Sequence, residues 1–245
     1  MKKFSTMRTL LACVLVALFL SACGGGGGGA SPDPAHAVLS DAQGRWHGNV
    51  NLSGGSQMAS ALVLPDGQAW LQFTTSGGVR RLVQGNLSVN GQQLTGAAKL
   101  FDLDSGHLFG ELTWTANATA GSSLALNSSD ATQVGRFTST SFVSQNTPSI
   151  SAIGVWRDVP SAPTVQWTIG IDGSLSGTAT GCTVVGHVLP RGDSAAVADV
   201  DYDENCGGTI TSWTGVSLNG PSLDSLKFTL INSDKTKALI LELVK

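Results

Sequence analysis

Short runs in which apolar and polar residues take turns dominate this chain. Val165, Trp167, Ile169 and Ile171 alternate with Gln166, Thr168 and Gly170, and Val83, Gly85, Leu87 and Val89 alternate with Gln84, Asn86 and Ser88. Leu108, Gly110, Leu112 and Trp114 keep the same period. Alternation puts one set of side chains on the core side of a strand and the other in water, so these runs predict half-buried antiparallel strands. Near the C-terminal end, Leu226, Phe228 and Leu230 are expected to pair with Leu239, Leu241 and Leu243 across a turn at Asn232 to Asp234. Asp66-Gly67, Asn90-Gly91 and Asp172-Gly173 fall between such runs and supply the positive φ that tight hairpins need. Helix is expected only over Pro34 to Ala42, with Asp33 as cap, Pro34 in the first turn and Gly44 as the stop.

The pattern also repeats. Gly44-Arg45-Trp46 opens one stretch and Gly154-Val155-Trp156 opens another, 110 residues later. Each is followed by a strand, an Asp-Gly turn and a strand with a central Gly, Leu82 to Leu87 in the first copy and Thr183 to Val188 in the second. Each half holds enough runs for about seven or eight strands, the number that closes a small barrel. The predicted fold is therefore all-β: two tandem small antiparallel up-and-down barrels over 44–143 and 153–245, with 144–152 as linker. The alternative is a single larger β-sandwich or barrel in which both halves share one core.

Gly154-Val155-Trp156, Val165 to Ile171, Asp172-Gly173 and Leu175-Ser176-Gly177-Thr178 together resemble the first hairpin of avidin-like and lipocalin-like barrels. The resemblance implies a calycin-like architecture in which the Trp packs across the barrel floor, often beneath a small ligand. It does not imply biotin, because the polar residue after the Trp and the Tyr closing the second strand are replaced by Arg157 and Ala179. Trp46 and Trp156 are expected to be core plugs, since an indole is a large apolar body with one donor.

Ahead of the barrels, Lys2, Lys3 and Arg8 precede an apolar run from Leu10 to Leu20, which ends in Leu20-Ser21-Ala22-Cys23. A run of 11 residues is too short for a transmembrane helix, which takes about 20. This segment resembles the leader and lipobox of bacterial prolipoproteins. The resemblance implies a signal peptide over 1–22, cut by signal peptidase II, with Cys23 carrying diacylglycerol and an acylated amine such as palmitate. Gly24, in place of Asp, points to the outer membrane. Several acyl chains hold stably where one binds only marginally. Residues 23–43 would then comprise the lipidated Cys, a tether of Gly24 to Gly29 with Ala30 to Pro34, and the short helix. Such a tether reaches roughly 15 to 20 Å. Polyglycine after a lipidated Cys is similar to surface lipoproteins of Neisseria and related proteobacteria.

Charge and cysteine usage narrow the partners. The chain carries 14 Lys plus Arg and 17 Asp plus Glu; without Lys2, Lys3 and Arg8 the count is 11 against 17, a net of −6. With no basic stripe, nucleic acid is not an expected partner. Cys13 leaves with the leader and Cys23 is taken by lipid, so Cys182 and Cys206 remain as a pair in an oxidising compartment. Their disulfide would close a 24-residue loop, contributing roughly 3 kcal/mol.

Catalytic patterns are lacking. His36, His47, His107 and His187 are scattered, no nucleophile elbow or phosphate loop occurs, and Gly173-Ser174-Leu175-Ser176-Gly177 has Leu where a nucleophile would stand. Asp199, Asp201 and Asp203 share one strand face and form a weak calcium candidate, against a solvated acidic edge as the simpler reading. Arg191-Gly192-Asp193 is accounted for by turn chemistry. The expected function is an outer-membrane-anchored lipoprotein of a Gram-negative bacterium, non-catalytic and without cofactor, binding a ligand or protein partner. The alternative is a cell-envelope hydrolase using dispersed carboxylates such as Asp102, Asp104 and Glu111.

Overall fold

The computed structural model describes residues 37–129, 138–144, 152–158, 164–191, 197–219 and 224–245. After helix α1 (Leu39–Ala42) come β1 (Gly44–Leu52), β2 (Gly55–Val63), β3 (Gln68–Thr74), β4 (Arg80–Asn86), β5 (Ser88–Asn90), β6 (Gln93–Asp102), β7 (His107–Thr119), β8 (Ser123–Ser129) and β9 (Thr138–Ser144). The second series runs β10 (Gly154–Arg157), β11 (Val165–Ile169), β12 (Ser174–Ala179), β13 (Cys182–Pro190), β14 (Val197–Cys206), β15 (Thr209–Asn219), β16 (Ser225–Asn232) and β17 (Ala238–Val244). The first nine strands form one sheet in the order β4-β3-β2-β1-β9-β8-β7-β6-β5, and β4 also pairs with β6 through five residues, so the sheet returns on itself. Strands β10 to β17 close as an up-and-down barrel in chain order. All these pairings are antiparallel. Two antiparallel barrels thus replace the single-sandwich alternative. No helix among the described residues is long and apolar enough to cross a membrane.

Alternation explains where the cores sit. In the second barrel Val165, Trp167 and Ile169 are buried while Gln166 and Thr168 face out. The two C-terminal runs pair as expected, with Leu226, Phe228 and Leu230 opposite Leu243, Leu241 and Leu239. Trp167 meets Tyr202 edge-on at 5.1 Å and Phe228 at 4.9 Å, and Tyr202 stacks over Trp213. Burial, then the charge of Glu204, pushes the Tyr202 phenol far above its ordinary range, so it stays neutral. Trp46, Trp114, Leu71, Val83 and Leu124 fill the first barrel in the same way. Both interiors are therefore occupied by the barrels' own side chains.

The duplication extends to individual hydrogen bonds. Gly44 and Gly154 both have positive φ, 126° and 136°. The Trp two residues on donates its indole N–H to the carbonyl four residues before it, Ala42 at 2.8 Å in one barrel and Ala152 at 2.6 Å in the other. In the two Asp-Gly hairpins, the Asp side chain accepts from the N–H two residues later at 3.0 Å in both copies. The Gly carbonyl then accepts from Leu87 in the first barrel and Val188 in the second, each at 2.8 Å. The central glycines, Gly85 and Gly186, lie where any Cβ would run into the backbone of the next strand.

Four local expectations are corrected. Helix among the described residues is only Leu39–Ala42, behind an extended Val38 with no side-chain cap bond; residues 33–36 lie outside the described residues. Ile171 is 90 % exposed because its strand ends at Ile169 and the chain turns over Asp172. Val89 is exposed on the three-residue β5. A register shift between Leu100 and Phe101 turns Leu108 away from the interior that holds Leu112 and Trp114.

Leu108 faces the other barrel. Leu62, Leu64, Trp70, Leu82 and Phe101 on the outer wall of the first barrel form one apolar cluster with Val197, Val216, Ile231 and Ala238 of the second. The Leu108 N–H donates to the Thr236 carbonyl at 2.7 Å, and the Ala238 N–H donates to the Gly106 carbonyl at 2.9 Å. Arg191 bridges Asp199 of its own barrel, at 2.8 Å, and Asp66 of the first, at 3.0 Å. Residues His36–Lys245 accordingly form one compact unit.

Candidate functional site

Because the interiors are filled, concave surface has to be sought on the outer walls. Strand register builds one such surface between the barrels. Across β1, β2 and β3, Arg45 stands opposite Leu62, and Leu62 opposite Trp70. Each faces outward, since the neighbours Trp46, Ala61, Val63, Ala69 and Leu71 point into the core. Across β15, β16 and β17, Leu218 stands opposite Lys227, and Lys227 opposite Glu242. The two rows line a cavity of about 400 Å³, together with Gln72, Leu82 and Val216.

Its polar groups are incompletely satisfied. Arg45 donates from Nη2 to the Asn219 carbonyl at 3.3 Å, whereas its buried Nη1 has no partner among the described residues. Trp70 is 5 % exposed, and its indole N–H has no partner either. A buried donor left unmatched costs about 1–3 kcal/mol. Lys227 donates to the Gln72 side chain and lies 4.0 Å from Glu242. Burial lowers the Arg45 pKa, and burial is also the main reason that Lys227 falls below the usual lysine value. Glu242 opposes the Lys227 shift, while Arg45 and Arg80 add to it. With Lys227 and Glu242 paired, the lining keeps one uncompensated positive charge, on Arg45, among the described residues.

A second cavity, of about 590 Å³, lies against β4, β6 and β7 and is lined by Gln84, Lys99, Glu111 and Lys235. Two of its charges are engaged: Lys99 is 3.6 Å from Glu111 and donates to the Lys235 carbonyl at 3.5 Å.

Of the residues singled out from sequence, Cys182 and Cys206 are joined by a disulfide between adjacent strands, with Cα atoms 4.5 Å apart. Cys23 lies outside the described residues. Asp199, Asp201 and Asp203 all lie exposed on the outer face of β14 and do not converge. Asp199 is held by Arg191, Asp201 stands opposite His187, and Asp203 accepts from Ser212 at 2.5 Å. The tightest gathering of possible metal ligands among the described residues is Cys182, Glu204 and Cys206, whose sulfurs are bonded to each other. Arg191 is occupied by its two carboxylates, and residues 192–193 lie outside the described residues.

The dispersed carboxylates are each paired with a cation. Asp102 meets Arg81 at 2.7 Å, Asp104 meets Arg80 at 2.9 Å, and Glu111 meets Lys99. The Ser105 N–H, then the Asp104 N–H and Arg81, hold the Asp102 carboxyl below its ordinary range; Arg80 does the same for Asp104. Both are fixed as anions rather than poised as acids.

The cleft residues Arg45, Trp70, Lys227 and Glu242 were not foreseen. Arg45 could have been noticed as the one charged residue inside the Gly-x-Trp repeat. Trp70 could have been noticed within Ala69-Trp70-Leu71, where alternation lapses because both strand faces are covered. Compared with protein-family models, curated proteins and solved structures, the chain matches none.

Proposed function

We propose that this chain is a non-catalytic lipoprotein of the Gram-negative outer membrane, anchored through Cys23, whose double-barrel body binds a ligand or protein partner. The observation that carries the binding half is the cleft between two filled barrels, where two buried donors stand without partners. Proteins rarely leave such donors dry, and a bound molecule is one way to satisfy them. The anchoring half rests on Leu20-Ser21-Ala22-Cys23 and the glycine tether. The Cys182–Cys206 disulfide fits an extracytoplasmic body. The hydrolase reading is the weaker one, because Asp102 and Asp104 are tied to arginines as anions and lack the raised pKa a general acid needs.

Mass spectrometry of the mature protein from membranes tests the anchor. The expected result is a chain that begins at an acylated Cys23, and an unlipidated chain still carrying residues 1–22 in Cys23→Ala. An unmodified N-terminus in the parent, or a Cys23→Ala chain cut and acylated like the parent, would overturn it.

A further inference from the structure

We propose that the cleft between the barrels binds a small organic carboxylate, with Arg45 Nη1 and Trp70 Nε1 donating to the ligand and Leu62, Leu82, Val216 and Leu218 enclosing its hydrocarbon part. This deepens the reading of the body as a binder and rests on it. Four features select the ligand.

The two buried valences left open in the cleft are both donors. An indole offers only an N–H and a guanidinium only N–H groups, so the ligand atom that meets them is an acceptor. The charge is a single uncompensated positive one, because Glu242 answers Lys227 and no carboxylate lies within ion-pair distance of Arg45 among the described residues. One guanidinium edge matches one carboxylate, the planar pair arginine favours. Inorganic phosphate, with more charge and four oxygens, would leave acceptors facing leucine and valine. The apolar lining calls for hydrocarbon beyond the carboxylate, and about 400 Å³ suits a molecule of small-metabolite size. Finally, Arg45 occupies the outward position of a duplicated motif that holds Val155 in the other copy, so the barrel floor does not need the charge.

The test is calorimetric titration of the full mature chain in detergent with sodium octanoate, octanamide and inorganic phosphate, alongside the mass analysis of Cys23. Octanoate is expected to bind saturably, one per chain, and octanamide at least about tenfold more weakly, the size of one charge-assisted hydrogen bond. Arg45→Gln and Trp70→Phe, which keep most of each side chain's bulk, should each weaken octanoate by about tenfold or more. Arg157→Gln, altering a half-buried arginine outside the cleft that is hydrogen-bonded to Gln166, should leave it unchanged. Octanamide binding as well as octanoate, phosphate binding more tightly, or no saturable binding would overturn the proposal, as would cleft variants that bind like the parent. The unsubstituted chain decides the first three even if a variant does not fold. An acylated chain that binds no octanoate overturns the ligand and leaves the anchor standing; an unmodified Cys23 overturns the anchor alone.

Discussion

The two barrels share a floor and differ in what they do with their outer walls. Both begin with a positive-φ glycine and a tryptophan that donates its N–H to the carbonyl four residues back, and both place a glycine where the fourth and fifth large strands cross closely. Around that common frame the second barrel adds a disulfide and an aromatic cluster of Trp167, Tyr202, Trp213 and Phe228. The first adds the short β5, a bulge in the β6–β7 pairing and an arginine immediately before its floor tryptophan, where the second has Val155. Shared positions are thus those that backbone geometry and interior volume dictate. The differing ones are the aromatic cluster inside the second barrel and positions that face outward or toward the other barrel.

Removing a floor tryptophan is the strongest way to break the comparison. Trp46→Ala and Trp156→Ala should each cost about 3–5 kcal/mol in urea unfolding, by similar amounts. Because the outer walls share an apolar cluster, each variant should lower the stability of both barrels in a single transition. A surviving transition for the untouched barrel would show that the shared wall does not couple them.

Next in size is the disulfide. Replacing both cysteines (Cys182→Ser, Cys206→Ser) should cost roughly 3 kcal/mol, because the 24-residue loop regains its freedom in the unfolded chain. The first barrel has no counterpart of this bridge among its described residues. The paired glycines follow: Gly85→Ala and Gly186→Ala would bring a methyl to 2.2 and 2.1 Å from backbone oxygens of Ala97 and Asp201. Each should cost about 1–3 kcal/mol by thermal melting, and unequal costs would mean that the crossings are not equivalent.

The smallest effect is one of pH. The Asp102 carboxyl lies below its ordinary 3.8, chiefly through the Ser105 N–H. Its contribution is fully present above that value and is lost as pH falls through the lower folded-state pKa. Asp102→Asn should flatten this part of the acid limb of stability against pH; an unchanged limb would assign the acid sensitivity to other groups.

Most of the fold was legible because alternation reports burial on one face, as in β11 and β14. The run Leu226, Phe228 and Leu230 could be paired with the run Leu239, Leu241 and Leu243 from period and turn alone. Ile171 misled because period continues past the point where the chain turns. The cleft was opaque for a different reason. Lys227 sits between Leu226 and Phe228 as any solvent-facing lysine would, and only the packing of the first barrel against β16 makes it a partly buried charge. Alternation cannot report what later covers the outer face.

The central claim is that the body's binding surface lies between the barrels and not inside them. Methyl-resolved NMR of the full chain during titration with octanoate tests it most directly. The account predicts shifts concentrated at Leu62, Leu82, Val216 and Leu218, with Leu71, Val83 and Val184 inside the barrels unmoved. Largest shifts at those interior methyls, or none at the cleft, would contradict it.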